Sequence, residues 1–101
     1  CVVSVLHERI DAAAALEFKD AVRRATTHAP SVVILDLHRV NFIDSSGLGA
    51  IVAAMKHLAP QRALVLAGLT PAVEKVFTLT RMDTVFGIFH TLDAALSAHR
   101  G

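Results

Sequence analysis

Short apolar runs of strand length alternate along this chain with segments whose apolar residues recur at helical spacing. The order is β-α-β-α-β-α-β-α, with predicted strands at 1–6, 32–37, 63–67 and 84–89 and predicted helices at 12–27, 46–58, from 71 onward and 92–99. Strands that alternate with helices pair through right-handed crossovers into a mainly parallel sheet. The pattern therefore predicts one α/β domain over residues 1–101, with functional loops beyond the carboxyl ends of its strands.

The apolar excess of the chain fits buried strands better than a membrane segment. Hydrophobic residues make up 53% of the chain, yet the longest runs without Asp, Glu, Lys or Arg, such as 45–55, fall well short of a span. A membrane-spanning helix needs ~20 apolar residues, whereas the strands of a parallel sheet are apolar on both faces. We expect no membrane insertion, and residues 1–6 are too short for the apolar region of a signal peptide.

Composition and charge exclude several classes of function. Lys and Arg number 10 against 9 Asp and Glu, the net charge is +1, and Trp and Tyr are absent. Such a chain lacks the basic patch and the stacking rings of a direct nucleic-acid binder. Its single cysteine excludes an internal disulfide and a multi-cysteine zinc site, and none of its six histidines pairs with another at metal-ligand spacing.

Motifs of catalysis are also missing from the sequence. It contains no dinucleotide fingerprint, no phosphate-binding loop and no nucleophile elbow. We therefore expect no metal, no cofactor and no enzymatic activity. A catalytic triad built on Ser45 stays open at this point, because its partners can come from anywhere in the chain.

The most informative motif follows the predicted strand 32–37 and reads Asn-Phe-Ile-Asp-Ser-Ser-Gly-Leu-Gly over residues 41–49. Asp44 or Ser45 can cap the helix that begins near residue 46, because their side-chain oxygens accept the free N–H groups of the first turn. Gly47 and Gly49 each cost about 1 kcal/mol relative to alanine in a helix, and they let another surface approach the backbone. The alternative is a plain helix cap followed by two small residues that serve packing.

The helix predicted at 46–58 has one large apolar face and one small, uncharged face. Its apolar face, which we expect to contact the sheet, carries Leu48, Ile51, Val52, Met55 and Leu58. The opposite side carries Ser46, Ala50, Ala53 and His57, flanked by Gly49 and Ala54. An exposed helix face is usually charged, so we expect this one to dock a partner protein. Burial under another element of the same chain is the alternative.

The stretch Ile-Leu-Asp-Leu at 34–37, continued by Val-Asn-Phe-Ile-Asp-Ser-Ser-Gly-Leu-Gly at 40–49, resembles the signature of STAS domains. Within that family it is most similar to the bacterial anti-sigma factor antagonists. Residues 6–12 lie where these proteins have a Gly-Glu-Leu-Asp stretch, and Thr70-Pro71 lies at the start of their third helix. The resemblance covers nearly the whole chain. It implies an α/β, STAS-like fold, in which a small mixed, mainly parallel sheet of four or five strands packs against about four helices.

The resemblance also implies a function in transcription regulation by partner switching. Members of this family bind an anti-sigma factor, usually also a serine kinase, and so release a sigma factor in the cytoplasm. The kinase phosphorylates the first serine of the motif, here Ser45, and a PP2C-type serine phosphatase restores binding. The residues expected to bind the partner are Asp11, Asp44, Ser45, Ser46, Gly47, Gly49, Ala50 and Ala53. The alternative is a STAS domain excised from a larger protein, such as a sulfate-transporter-type anion transporter.

Two stretches depart from the pattern of the family. His7, Glu8 and Arg9 replace its usual glycine-containing turn, and Arg81 stands after the third helix where the family often has glycine. If the backbone at Arg81 is left-handed, the arginine costs about 1 kcal/mol or more there.

Overall fold

Six strands and four helices make up the computed structural model, which describes residues 2–25, 32–58 and 62–98. The strands are β1 Val2–Ser4, β2 Arg9–Ile10, β3 Val32–Asp36, β4 Phe42–Ile43, β5 Ala63–Ala67 and β6 Gly87–Phe89. The helices are α1 Ala12–Ala25, α2 Ser45–Leu58, α3 Pro71–Leu79 and α4 Leu92–Ala98, with a 3-10 turn at Met82–Thr84. The main sheet has the strand order β1-β3-β5-β6, and a separate two-stranded ladder joins β2 to β4.

The strand pairs among the described residues are all parallel. The two inner strands, β3 and β5, pair from Val32 with Ala63 to Asp36 with Ala67. The valines and the isoleucine of these strands are β-branched, which suits a pleated sheet. The predicted α/β fold with a mainly parallel sheet is confirmed, and the strand predicted at 32–37 lies inside that sheet as β3.

Helices cover both faces of the main sheet, which explains why its strands are apolar throughout. Successive strand residues point to opposite faces. The larger core lies between the sheet and α1, α2 and α3, and it includes Phe18, Val33, Leu35, Ile51, Leu66 and Phe77. The smaller core lies on the opposite face, against α4, and consists of Ile34, Val65, Ala67 and Ala95. No helix within the described ranges is long and apolar enough to cross a membrane.

Several predicted elements differ in the structure. The strand predicted at 1–6 spans only Val2–Ser4, and the short strand β2 was not predicted. The strand predicted at 84–89 is shorter, because the Val85 and Phe86 N–H groups both donate to the carbonyl of Met82 and close a 3-10 turn first. The segment between the predicted strand at 32–37 and the predicted helix at 46–58 contains the short strand β4. Residue 1 and the ends of the predicted helices at 26–27 and 99 lie outside the described residues.

The backbone of Arg81, where the family often has glycine, is left-handed, with φ 59° and ψ 21°. Its N–H donates to the carbonyl of Thr78, and its own carbonyl accepts from the N–H of Thr84. The residue therefore ends α3 and begins the 3-10 turn, a position where glycine carries no steric penalty.

Candidate functional site

The ladder of β2 and β4 brings the first turns of two helices side by side. Arg9 pairs with Phe42 and Ile10 pairs with Ile43, in parallel register. Each strand is followed by one aspartate and then by a helix, α1 after Asp11 and α2 after Asp44. The two aspartates therefore occupy corresponding positions at the same edge. We call the surface formed by Asp11, Asp44, Ser45 and Ser46 the paired helix starts.

Asp44 caps α2, one of the two capping residues that the motif predicts. Its carboxylate oxygen Oδ1 accepts the N–H of Gly47 at 2.8 Å, and its carbonyl accepts the N–H of Leu48 at 2.9 Å. The helix consequently begins at Ser45, one residue earlier than predicted. Ser45 and Ser46 occupy its first two positions, and both are exposed.

Asp11 caps α1 in the same way. Its Oδ1 accepts the N–H of Ala14 at 3.1 Å, and its carbonyl accepts the N–H of Ala15 at 2.8 Å. The Ala14 hydrogen bond holds the pKa of Asp11 below its ordinary value of 3.8, and partial burial opposes this shift. The hydrogen bond and the charge of Arg9 lower the pKa further. Asp11 is therefore a carboxylate at neutral pH and keeps a negative charge beside Asp44.

Arg9 and Phe42 flank the paired helix starts and were not identified as site residues from the sequence. The Arg9 guanidinium carbon lies 4.3 Å from the centroid of the Phe42 ring, a cation–π distance. The Arg9 Nε donates to Asp11 Oδ2 at 3.4 Å. Each strand of the ladder has only two residues, which is too short for an alternating pattern. The sequence therefore does not predict the contact between these two side chains.

The loop between β3 and β4 is held by the start of α3. Thr70 precedes Pro71 at the N-terminus of α3, as predicted, but its side chain makes no capping bond. Its hydroxyl Oγ1 instead donates to the carbonyl of Val40 at 2.8 Å. This bond fixes the backbone just before β4, and through β4 it positions the first turn of α2.

Gly47 and Gly49 have different roles. Gly47 is buried, and a Cβ atom there would collide with the carbonyl oxygen of Ile10 in β2. Its lack of a side chain serves the close approach of this chain's own strand, so Gly47 is not the exposed partner-binding residue expected from the sequence. A Cβ on Gly49 would meet no atom within 4 Å, and this residue is exposed.

The small face of α2 is turned partly inward, and the prediction that Ala50 lies on an exposed partner-binding face is wrong. Ala50 is only 1% exposed and belongs to the larger core, because α1 packs along this side of α2. The buried side of α2 consists of Gly47, Ala50, Ile51, Ala54 and Leu58. Leu48, Val52 and Met55 are half-buried at the border of the core. Burial under another element of the chain thus holds for Ala50 and for the flanking Ala54. The other residues of this face are exposed, namely Ser46, Gly49, Ala53 and His57.

The histidine–carboxylate pairs of the described residues include neither Ser45 nor its neighbour Asp44. A triad requires a serine bonded to a histidine that an acid orients. In the part of the chain that the structure describes, the histidine–carboxylate pairs are His7 with Glu17 at 3.3 Å and His38 with Asp36 at 2.9 Å. Neither pair includes the two aspartates of the paired helix starts. Within the same residues, no group of three or more His, Cys, Asp or Glu side chains is placed to hold a metal ion.

Comparison with known proteins identifies the family. The sequence model of the STAS domain matches residues 1–95. The anti-sigma-B factor antagonist of Listeria monocytogenes serovar 1/2a is 34% identical over 80 residues, which are 78% of this chain and 70% of that protein. The crystal structure of an anti-sigma factor antagonist from Mycobacterium paratuberculosis has a TM-score of 0.87 and 31% identity, covering 99% of this chain and 85% of that chain.

A third similar protein, SpoIIAA, has been solved in two states. The unphosphorylated form of this anti-sigma factor antagonist has a TM-score of 0.78 and 25% identity over 99% of this chain and 87% of that chain. The phosphorylated form of the Bacillus protein shares the fold, with a TM-score of 0.70 and 24% identity over 98% of this chain and 89% of that chain. Since the family model spans nearly the whole sequence and agrees with the observed fold, the chain belongs to the STAS domain family, and its relatives include anti-sigma factor antagonists.

Proposed function

We propose that this chain is an anti-sigma factor antagonist, which binds an anti-sigma factor through the paired helix starts and loses this binding when Ser45 is phosphorylated. The observation that carries the proposal is the position of Ser45. It is the exposed first residue of α2, directly after the capping Asp44 and beside the first turn of α1. The antagonists among the relatives support the choice of partner.

The first turn of α2 can accept a phosphate without unfolding. A phosphoserine adds about −1.5 to −2 charges, and the N-terminus of a helix stabilises negative charge. Ser45 is exposed, so the phosphate displaces no packed side chain. We therefore expect modification to leave the fold intact.

The same phosphate opposes the docking of a partner. Asp44 and Asp11 already place two carboxylates at this edge. A protein that covers the paired helix starts must remove all of these charges from water, and desolvating an unpaired charge is costly. Phosphorylation thus weakens binding through charge, while Gly49 and Ala53, exposed further along α2, extend the contact surface.

The proposed cycle has three proteins. The anti-sigma factor acts as the serine kinase, this chain is its substrate and ligand, and a PP2C-type serine phosphatase regenerates the binding form. The chain itself contributes a binding surface and no catalytic group. The sigma factor that is released acts on transcription, so the proposal assigns the chain to the cytoplasm.

The test is a binding measurement with the partner recovered from source cells. Co-purification followed by mass spectrometry identifies the partner and the phosphorylated residue together. We then expect Ser45→Asp to keep the circular dichroism spectrum of the wild type but to bind the purified partner at least ~10-fold more weakly, a loss of ~1.4 kcal/mol measured by calorimetry. Ser45→Ala should bind and resist phosphorylation.

Ser97→Asp is the matched control, because Ser97 is exposed on α4 at the opposite face of the sheet. It adds the same charge and should bind as the wild type does. Equal affinities of Ser45→Asp and wild type would contradict the proposed switch. A partner that is not an anti-sigma factor would contradict the proposed function itself.

A further inference from the structure

A groove runs between α1 and α2 toward their C-terminal ends, away from the paired helix starts. We call it the α1–α2 groove; it is lined by Lys19, Val22, Arg23, Ala53, Ala54 and His57. Its volume is about 190 Å³. Ser45 and His57 lie at opposite ends of the same helix, so the groove lies away from the paired helix starts and shares only Ala53 with the contact surface proposed above.

The floor of the groove is apolar and large enough for one ring. Val22 and Ala54 are buried beneath it, and the small side chain of Ala53 leaves the space open. An engineered apolar cavity of about 150 Å³ already holds a benzene molecule. The α1–α2 groove exceeds that volume, although it falls below the ~300 Å³ of typical pockets for larger ligands.

The rim of the groove is basic. Its titratable lining residues are Lys19, Arg23 and His57, and none of the lining residues is a carboxylate. Cations near a helix C-terminus also offset the helix dipole. That effect explains basic residues at either helix end, but it does not explain why they surround an apolar floor.

We propose that the α1–α2 groove binds a small aromatic anion, with the ring on the apolar floor and the carboxylate or phosphate group at the basic rim. Lys19 supplies a full positive charge from α1, and the imidazole of His57 supplies a hydrogen-bond donor from α2. Arg23 also lines the groove on the α1 side. This inference goes beyond the proposed function and does not depend on it.

The test is a titration of the full chain, labelled with ¹⁵N, with sodium benzoate at constant ionic strength. We expect one saturable site, with amide shifts centred on Val22, Ala53 and Ala54. Benzamide, which lacks the charge, and acetate, which lacks the ring, should each bind at least ~10-fold more weakly. The Ser45→Asp variant should bind benzoate as the wild type does, which separates this result from that of the phosphorylation experiment.

Two variants test the residues that carry the proposal. Ala53→Leu fills the groove and Lys19→Glu reverses the charge at its rim; both positions are exposed, and each change should weaken benzoate binding at least ~10-fold. Lys75→Glu on α3 makes the same charge change away from the groove and should bind normally.

Three outcomes would overturn the inference. Shifts that spread over the surface without saturation would show adventitious binding only. An equal loss in Lys75→Glu and Lys19→Glu would show an effect of net charge. Binding of a glutamate-rich peptide in the groove, with none of benzoate, would assign the groove to a protein partner. If Ala53→Leu lowers the melting temperature, the benzoate affinity of Lys19→Glu still tests the inference.

Discussion

Two glycines two residues apart in α2 should respond in opposite directions to the same substitution. In a helix interior, Gly→Ala stabilises by about 1 kcal/mol. Gly49→Ala should show this gain, because its Cβ meets no atom within 4 Å. At Gly47 the new Cβ collides with the carbonyl oxygen of Ile10, a backbone atom of β2 that cannot rotate away. Overpacking costs up to about 3 kcal/mol, so Gly47→Ala should be about 2 kcal/mol less stable than wild type.

Urea unfolding followed by circular dichroism measures both changes, and each variant is the control for the other. For a domain of this size, 1 kcal/mol corresponds to roughly 4–8 °C in melting temperature. Gly47→Ala should therefore melt roughly 8–16 °C below wild type, and Gly49→Ala a few degrees above it. If the two variants were equally stable, the close contact of β2 with α2 would not be the reason for the glycine at position 47.

Three further substitutions test other features of the structure. Ala50→Arg should unfold the chain because it places a charge in the core. Ala53→Arg on the exposed side of α2 should shift the free energy of unfolding by less than ~0.5 kcal/mol. Equal melting temperatures of the two variants would show that Ala50 is not buried. Arg81→Gly should stabilise by about 1 kcal/mol by removing the steric cost of φ 59°, and Arg81→Ala should not. The hydrogen bonds that lower the pKa of Asp11 stabilise the fold above the ordinary pKa of 3.8. As the pH falls below that value, the wild type should therefore lose stability relative to Asp11→Asn. Parallel pH profiles of the two proteins in urea unfolding would contradict this.

The helix start at Asp44 shows how far local sequence reasoning extends. An aspartate followed by two serines and a glycine identifies a cap, and the Gly47 N–H bond to Asp44 bears this out. The same reasoning could not tell that Gly47 lies against Ile10, because the two residues are distant in the chain. The contact of Arg9 with Phe42 escaped prediction for a similar reason: it depends on a ladder only two residues long.

The alternation of the main-sheet strands with four helices and the parallel pairing of those strands follow from the sequence by itself, since apolar periodicity is a local property. The two-residue strands β2 and β4 do not follow from it. The inward face of α2 was decided only by the tertiary structure. Leucine and isoleucine identify a buried side by themselves, but alanine is compatible with core and surface alike. Ala50 became a core residue and Ala53 a groove residue because α1 packs against one side of α2, and that packing depends on contacts between residues far apart in the chain.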